Sequence, residues 1–262
     1  MKETLKQIFY IFILVFIGAT ACETKEGRQP DIINQEDFPV VIDTVDLTKY
    51  GYPNFESKRT WLTNADYDFL YIGALTDTIV VNPFFRYNPP PPPPRGSEIT
   101  MPVRPEYENP LEGYQLDWTD KTNYKTWREA AVDIKIDTSS KLKGNYHVLL
   151  SNNGTDTIYI GYGDVLPLIM EARDSTGVWR PIEKRFIYMC GNGVGSIILP
   201  PNQVALTTAP LYKGNFKTDL RLVLGENYSS IFTGSITYRQ FESRFDENGN
   251  YKEEYKRENG IE

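Results

Sequence analysis

Histidine and cysteine are nearly missing from this chain of 262 residues, which holds one His and two Cys. A Ser-His-Asp or Cys-His catalytic arrangement therefore has only His147 to build on. A zinc site made of His and Cys needs several such ligands and is closed on that ground. Strand alternation puts His147 on the face opposite Tyr146, Val148 and Leu150, which predicts a solvated strand residue. Helical periodicity is absent from every long stretch. Positive charge is also in short supply: 28 Lys+Arg against 35 Asp+Glu give a net charge of −7, which argues against nucleic acid as a partner and against electrostatic adsorption to anionic lipid. A phosphate-cradling loop is missing as well. Cys190-Gly191-Asn192-Gly193-Val194-Gly195 is glycine-dense but lacks the Lys-Ser/Thr ending and a following helical pattern, so it reads as a loop between strands. The run Asp246-Glu247-Asn248-Gly249-Asn250 carries its glycine at the fourth position, where a calcium loop needs it at the sixth. It reads as a β turn on Asn-Gly. No metal and no cofactor are expected.

What is present begins with an apolar run from Ile8 to Ile17, flanked by Lys2 and Lys6 and followed by Gly18, Ala19, Thr20, Ala21 and Cys22. This is the three-part layout of a secretory signal peptide. A spanning helix needs about 20 apolar residues, and here the polar Glu23-Thr24-Lys25-Glu26 follows at once. Cys22 directly after Ala19-Thr20-Ala21 resembles the lipobox of bacterial lipoproteins, with Ala19 where that family prefers Leu. The resemblance implies cleavage before Cys22, acylation of that cysteine, and a chain anchored to a membrane rather than spanning it; the expected place is the cell envelope, with the outer membrane favoured over the inner. The alternative is an ordinary cleaved signal with an incidental cysteine. Removal of residues 1–21 leaves 26 basic against 34 acidic side chains, a net charge of −8. With Cys22 acylated, Cys190 has no partner for an intrachain disulfide. Its apolar setting, Phe186 to Cys190, predicts a small buried hydrophobe.

The mature chain reads as all-β. Its 18 Tyr, 13 Phe, 4 Trp, 19 Gly and 18 Pro favour strands and turns. We divide it into the signal peptide (1–21), the lipidated cysteine and a polar tether (22–60), N-terminal strands with a Pro-rich excursion (61–129), a β-sandwich (130–241) and a polar hairpin or tail (242–262). Asp68 to Gly73 and Asp77 to Asn82 are two strands separated by a tight hairpin or a break. Pro89 to Pro94 cannot lie inside a sheet and form a polyproline II spacer or a docking ligand. Val132, Ile134 and Ile136, then Tyr146, Val148 and Leu150, show the period-two alternation of half-buried strands. Further strands are predicted at Thr157–Tyr162, Val165–Glu171, Val178–Glu183, Arg185–Cys190, Ser196–Leu199, Val204–Thr208, Asp219–Leu224 and Ile231–Phe241. Short strands at such intervals predict an antiparallel sandwich.

Tyr146 to Asp156 (YHVLLSNNGTD), Asp174-Ser175-Thr176-Gly177-Val178-Trp179 and Leu199-Pro200-Pro201-Asn202 resemble the turns of Ig-like bacterial envelope domains. The resemblance covers residues 130–241 and implies an antiparallel Ig-like β-sandwich with the Pro-rich segment as a loop insertion. The whole is similar to uncharacterised bacteroidete envelope lipoproteins, which brings no activity with it. Asp43-Thr44-Val45, Asp77-Thr78-Ile79, Asp156-Thr157-Ile158 and Asp174-Ser175-Thr176 resemble the O-glycosylation sites of such proteins, with Thr44, Thr78, Thr157 and Ser175 as acceptors; Asp before Thr is also ordinary turn chemistry.

Aromatic residues offer the best candidate for function. Tyr107, Tyr114, Trp118, Tyr124 and Trp127 lie in the irregular excursion, where rings are harder to bury and binding residues often sit. Trp179 is assigned to the core. The reading is a non-enzymatic, lipid-anchored envelope protein that presents this surface to an envelope protein or a glycan. A carbohydrate-active or peptide-cleaving enzyme using carboxylates is one alternative, because paired acids leave no fixed spacing in sequence. An inhibitor or immunity-type protein is another.

Overall fold

The computed structural model describes residues 38–44, 62–65, 67–86, 109–117, 119–120, 122–142, 144–184, 194–242 and 252–253. Cys22 and the rest of the signal peptide and early tether, the six prolines, Tyr107, Trp118, the strand predicted at 185–190 and the Asn-Gly turn at 246–250 lie outside the described residues.

The described chain is built from strands: β1 (Val40–Ile42), β2 (Thr63–Asn64), β3 (Tyr71–Ala74), β4 (Thr78–Val80), β5 (Gln115–Leu116), β6 (Lys125–Thr126), β7 (Asp133–Leu142), β8 (Asn145–Ser151), β9 (Ile158–Tyr162), β10 (Ile169–Arg173), β11 (Trp179–Pro181), β12 (Glu183–Lys184), β13 (Ser196–Leu199), β14 (Gln203–Pro210), β15 (Phe216–Leu224), β16 (Asn227–Tyr228) and β17 (Phe232–Ile236). Three larger sheets form, in the orders β3-β14-β8-β7, β5-β13-β9-β6 and β11-β10-β15, with β16 and β17 both pairing β15. Pairing is antiparallel except for β1 with β4, β2 with β12 and β6 with β9. The expectation of an all-β chain with antiparallel sheets is met. Strands from 62–126 and strands from 133–236 share these sheets: β3 lies against β14, β5 against β13 and β6 against β9.

Side-chain alternation explains the layering. Along β15, Leu220, Leu222 and Leu224 are buried while Asp219 and Arg221 face the other way. Along β10, Met170 and Ala172 do the same opposite Glu171 and Arg173. These residues join Ile134, Val148 and Leu150 of the first sheet and Ile158, Ile160, Ile197 and Leu199 of the second in one apolar cluster. Each aliphatic side chain buried there contributes about 1.5–3 kcal/mol. A second, smaller cluster lies on the opposite face of β8 and β14: Leu149, Val204 and Leu206 meet Leu70, Ile79 and Val81, with Phe38, Val41 and Tyr71 packed at its border. The β1-β4 ribbon thus covers the back of the first sheet, and β8 and β14 are buried on both faces.

The solvated reading of His147 is overturned: it is only 5% exposed, on the strand face it shares with Leu149, with its Nδ1 3.3 Å from Ser140 Oγ of β7. Asp68–Gly73 and Asp77–Asn82 prove to be separated by a break, since β3 pairs with β14 and β4 with β1. The strand predicted from Val165 starts only at Ile169, because Tyr162 and Val165 exchange backbone hydrogen bonds across a tight turn, with Gly163 at φ 63°. The strand predicted to reach Phe241 stops at Ile236 and gives way to a 3-10 helix, Tyr238–Phe241. Its first turn is boxed by Thr237 and Gln240, whose side chain accepts the Thr237 N–H at 2.9 Å. Trp179 is not in the core: it is half-buried on the outer face of the third sheet, between Arg173 and Arg221.

Candidate interaction surface

Of the five aromatic residues picked out in the excursion, Tyr114, Tyr124 and Trp127 are described, and all three are half-buried. They stand at two places. Tyr114 ends the turn before β5, its N–H bonded to Leu111 C=O and its C=O to Ile198 N–H. Tyr124 and Trp127 flank β6, at the opposite edge of the second sheet. Three strand spacings separate those edges, about 14 Å. Burial, and secondarily electrostatic repulsion from Tyr114, push the Tyr71 phenol above its usual pKa.

At the β6 edge the structure adds two rings that the sequence reading did not select. Tyr124 meets Tyr159 edge-on, centroids 5.5 Å apart at 74°, and Trp127 lies 6.4 Å from Tyr162. Opposite β13 the pairing passes from Gly161 to Tyr159 in one step, so β9 carries one extra residue at Ile160. This bulge shifts the facing of the strand and leaves both Tyr159 and Tyr162 half-exposed. The Tyr159 hydroxyl donates to Thr122 C=O, and Lys125 pairs with Asp156 at 3.4 Å. Asp120 braces the same loop, its carboxyl held below the usual range by the Thr122 hydroxyl and then the Thr122 N–H.

Asn227 holds this edge from the third sheet. Its Nδ2 donates to the carbonyls of Trp127, Ala130 and Leu224, each at 3.0 Å, and its Oδ1 accepts Val132 N–H at 3.0 Å. One amide therefore fixes the chain from Trp127 to Val132 and, with it, the position of the Trp127 ring.

The outer face of the third sheet carries a second aromatic group. Arg221 lies 4.4 Å from the Trp179 ring centroid and 4.1 Å from that of Tyr228, and Arg173 lies 5.0 Å from Trp179. Each arginine is anchored by an acid on the same face, Glu171 for Arg221 at 2.7 Å and Asp219 for Arg173 at 3.6 Å. Rings and guanidinium groups so interleaved hold one another by cation–π attraction.

The four candidate glycosylation hydroxyls differ in setting. Thr44, Thr78 and Ser175 are exposed and Thr157 is half-buried. Ser175 sits in the hairpin turn at Asp174, its Oγ 3.0 Å from the Tyr238 hydroxyl. Asp174 accepts from Thr176 Oγ1 at 2.6 Å, Arg180 Nε at 2.5 Å and the N–H groups of Thr176 and Val178. The Thr176 hydroxyl first, and then the Arg180 guanidinium, hold its carboxyl far below the usual carboxylate range. Gly177 completes the turn at φ 83°.

Two clusters bear on catalysis. Asp137, Ser140 and His147 meet at the β7-β8 hairpin: Ser140 Oγ donates to Asp137 and lies 3.3 Å from His147 Nδ1. In a working triad the carboxylate orients the imidazole, and the imidazole takes the serine proton. Here the serine stands between the other two. Desolvation pushes the Asp137 carboxyl up, but the hydrogen bonds from Ser139 and Ser140 outweigh it and the net shift is downward, which makes it a poor proton acceptor. The second cluster surrounds Glu183, 2% exposed, which accepts from the Tyr67 hydroxyl at 2.6 Å, Met170 N–H at 2.7 Å and the Tyr212 hydroxyl. These bonds tie β12, β10 and the loop before β15 together inside the core. Among the described residues no group of three or more His, Cys, Asp or Glu could hold a metal ion. No helix among them is long and apolar enough to cross a membrane.

No family model matches this chain, and neither a curated protein nor a solved structure shows significant similarity to it.

Proposed function

We propose that the chain is a non-enzymatic lipoprotein of the bacterial cell envelope, anchored through acyl groups on Cys22, whose Ig-like β-sandwich presents an aromatic edge to an envelope protein or glycan. The lipobox-like Ala19-Thr20-Ala21-Cys22 supports the anchor. Antiparallel sheets that share one core support the sandwich. The observation that carries the binding reading is the row of half-buried rings Tyr124, Tyr159, Trp127 and Tyr162 along β6 and β9. Aromatic rings fixed by backbone hydrogen bonds on either side offer flat apolar area at little entropic cost, which suits stacking on a sugar or packing on a peptide.

The test is crosslinking in intact cells, followed by mass spectrometry of captured material, with the natural chain, a Cys22→Ala chain and a Tyr124→Ala chain. A partner captured by the first and lost from both others supports the proposal. Capture that is indifferent to Tyr124→Ala moves the interaction elsewhere on the molecule. The exposure of Thr44 and Ser175 supports O-glycans at those hydroxyls, which intact mass measurement checks.

A further inference from the structure

Eight large apolar side chains are exposed among the described residues, and four of them, Val40, Ile42, Leu75 and Val80, lie on the β1-β4 ribbon or the turn leading into β4. The parallel register sets Val40 beside Thr78 and Ile42 beside Val80 on one face. The opposite face, Val41 and Ile79, closes the smaller core cluster. The ribbon is thus apolar on both sides, where a strand at the surface usually alternates apolar inward with polar outward. Val40 is 63% exposed, Val80 56% and Ile42 40%, and the only other residue of β1 and β4 on that face is the uncharged Thr78.

We infer that this face rests on the lipid surface to which the chain is tethered. The inference builds on the anchoring of Cys22 proposed above. Only the 15 residues 23–37 separate Cys22 from Phe38, and fully extended they reach at most about 50–54 Å. A tether of that length holds the ribbon near the bilayer at an effective concentration on the order of millimolar, so a contact too weak to recruit a free protein suffices to orient an anchored one. Charge does not drive the contact, because the mature chain is acidic and none of the residues of β1 and β4 on this face is charged. Insertion of β-branched side chains among zwitterionic headgroups is the chemistry that fits. An orientation with β1-β4 against the membrane also occupies Thr78, so a glycan on that hydroxyl and this contact exclude each other.

The experiment uses the acylated full-length chain with Thr78→Cys and Cys190→Ser, labelled at position 78 with an environment-sensitive nitrobenzoxadiazole dye and bound to phosphatidylcholine vesicles. Flotation with the vesicles reports the anchor separately from the contact. The expected result is co-flotation with a severalfold rise and blue shift of the dye emission, quenched by brominated lipid. In an Ile42→Ser, Val80→Ser chain, co-flotation persists and the rise is lost. Co-flotation with no change in emission overturns the contact and leaves the anchor standing. Failure to float removes the anchor and the inference with it. A blue shift that depends on protein concentration without vesicles assigns the face to a second copy of the chain, and a glycan on Thr78 of the natural chain also overturns the inference.

Discussion

Replacement of Asn227 by alanine tests whether one side chain clamps the aromatic edge to the third sheet. The amide donates toward three carbonyls and accepts one N–H, so its two protons serve Trp127, Ala130 and Leu224, and its oxygen serves Val132. Deleting it removes the equivalent of three hydrogen bonds, at about 1 kcal/mol each, and leaves part-buried backbone groups to find other partners. The expected loss is about 3 kcal/mol. For a domain of this size, about 2–4 °C of melting temperature accompanies each kcal/mol, so the midpoint should fall by about 6–12 °C. Thermal unfolding of the mature chain followed by circular dichroism measures it. Asn227→Asp is the sharper control, since the acceptor for Val132 survives while a carboxylate is turned toward three carbonyls. It should destabilise at neutral pH more than alanine does, and the deficit should narrow in acid as the carboxyl gains a proton to donate. A fall of less than about 3 °C for Asn227→Ala, or an aspartate variant as stable as the natural chain, refutes the clamp.

Other perturbations read different parts of the account. Asp174 has a depressed folded-state pKa, so it stabilises the fold above the ordinary aspartate pKa of about 3.9, and that share is lost as pH falls toward the folded value. The stability gap between the natural chain and Asp174→Asn should be level near neutrality and close in acid, measured by urea unfolding across pH. Gly161→Ala would set a methyl 2.5 Å from the Val165 carbonyl oxygen. The turn there is held by reciprocal backbone bonds, so overpacking should cost about 1–3 kcal/mol in the same unfolding assay. Trp179→Ala removes the ring between Arg173 and Arg221 and should cost about 1–2 kcal/mol, from two cation–π contacts of about 0.5–1 kcal/mol each. Arg221→Lys keeps the charge but gives up the planar guanidinium over Trp179 and Tyr228, and should cost part of that amount in the same assay.

The pattern was legible where one face meets the core and the other meets water. Val132, Ile134 and Ile136 alternate with charged residues in the sequence, and β7 is where that alternation places it. Second-face burial was the main thing hidden. His147 reads as outward-facing by strict alternation, yet it is buried, and two residues along the same strand face Leu149 is covered by Val41, Ile79 and Val81, drawn from some 70–100 residues earlier. A sign of it was in the sequence: Leu149-Leu150 and Val204-Ala205-Leu206 break the alternation, as strands buried on both faces do. Trp179 lies outside the core for a related reason, since a large ring can be covered by arginine stems on a sheet surface as well as by a core. The candidate edge was half legible. Tyr124 and Trp127 stood out in an irregular stretch, whereas Tyr159 and Tyr162 looked like ordinary strand residues, because the bulge at Ile160 depends on the register against β13.

The anchor is the claim on which the rest turns, and the mass of the chain purified from cell membranes tests it most directly. The account predicts a mature protein that begins at Cys22, lacks residues 1–21 and carries acyl groups on that cysteine, with no species of the same mass from a Cys22→Ala chain. A mature chain that begins elsewhere, or that carries a free thiol at Cys22, contradicts it.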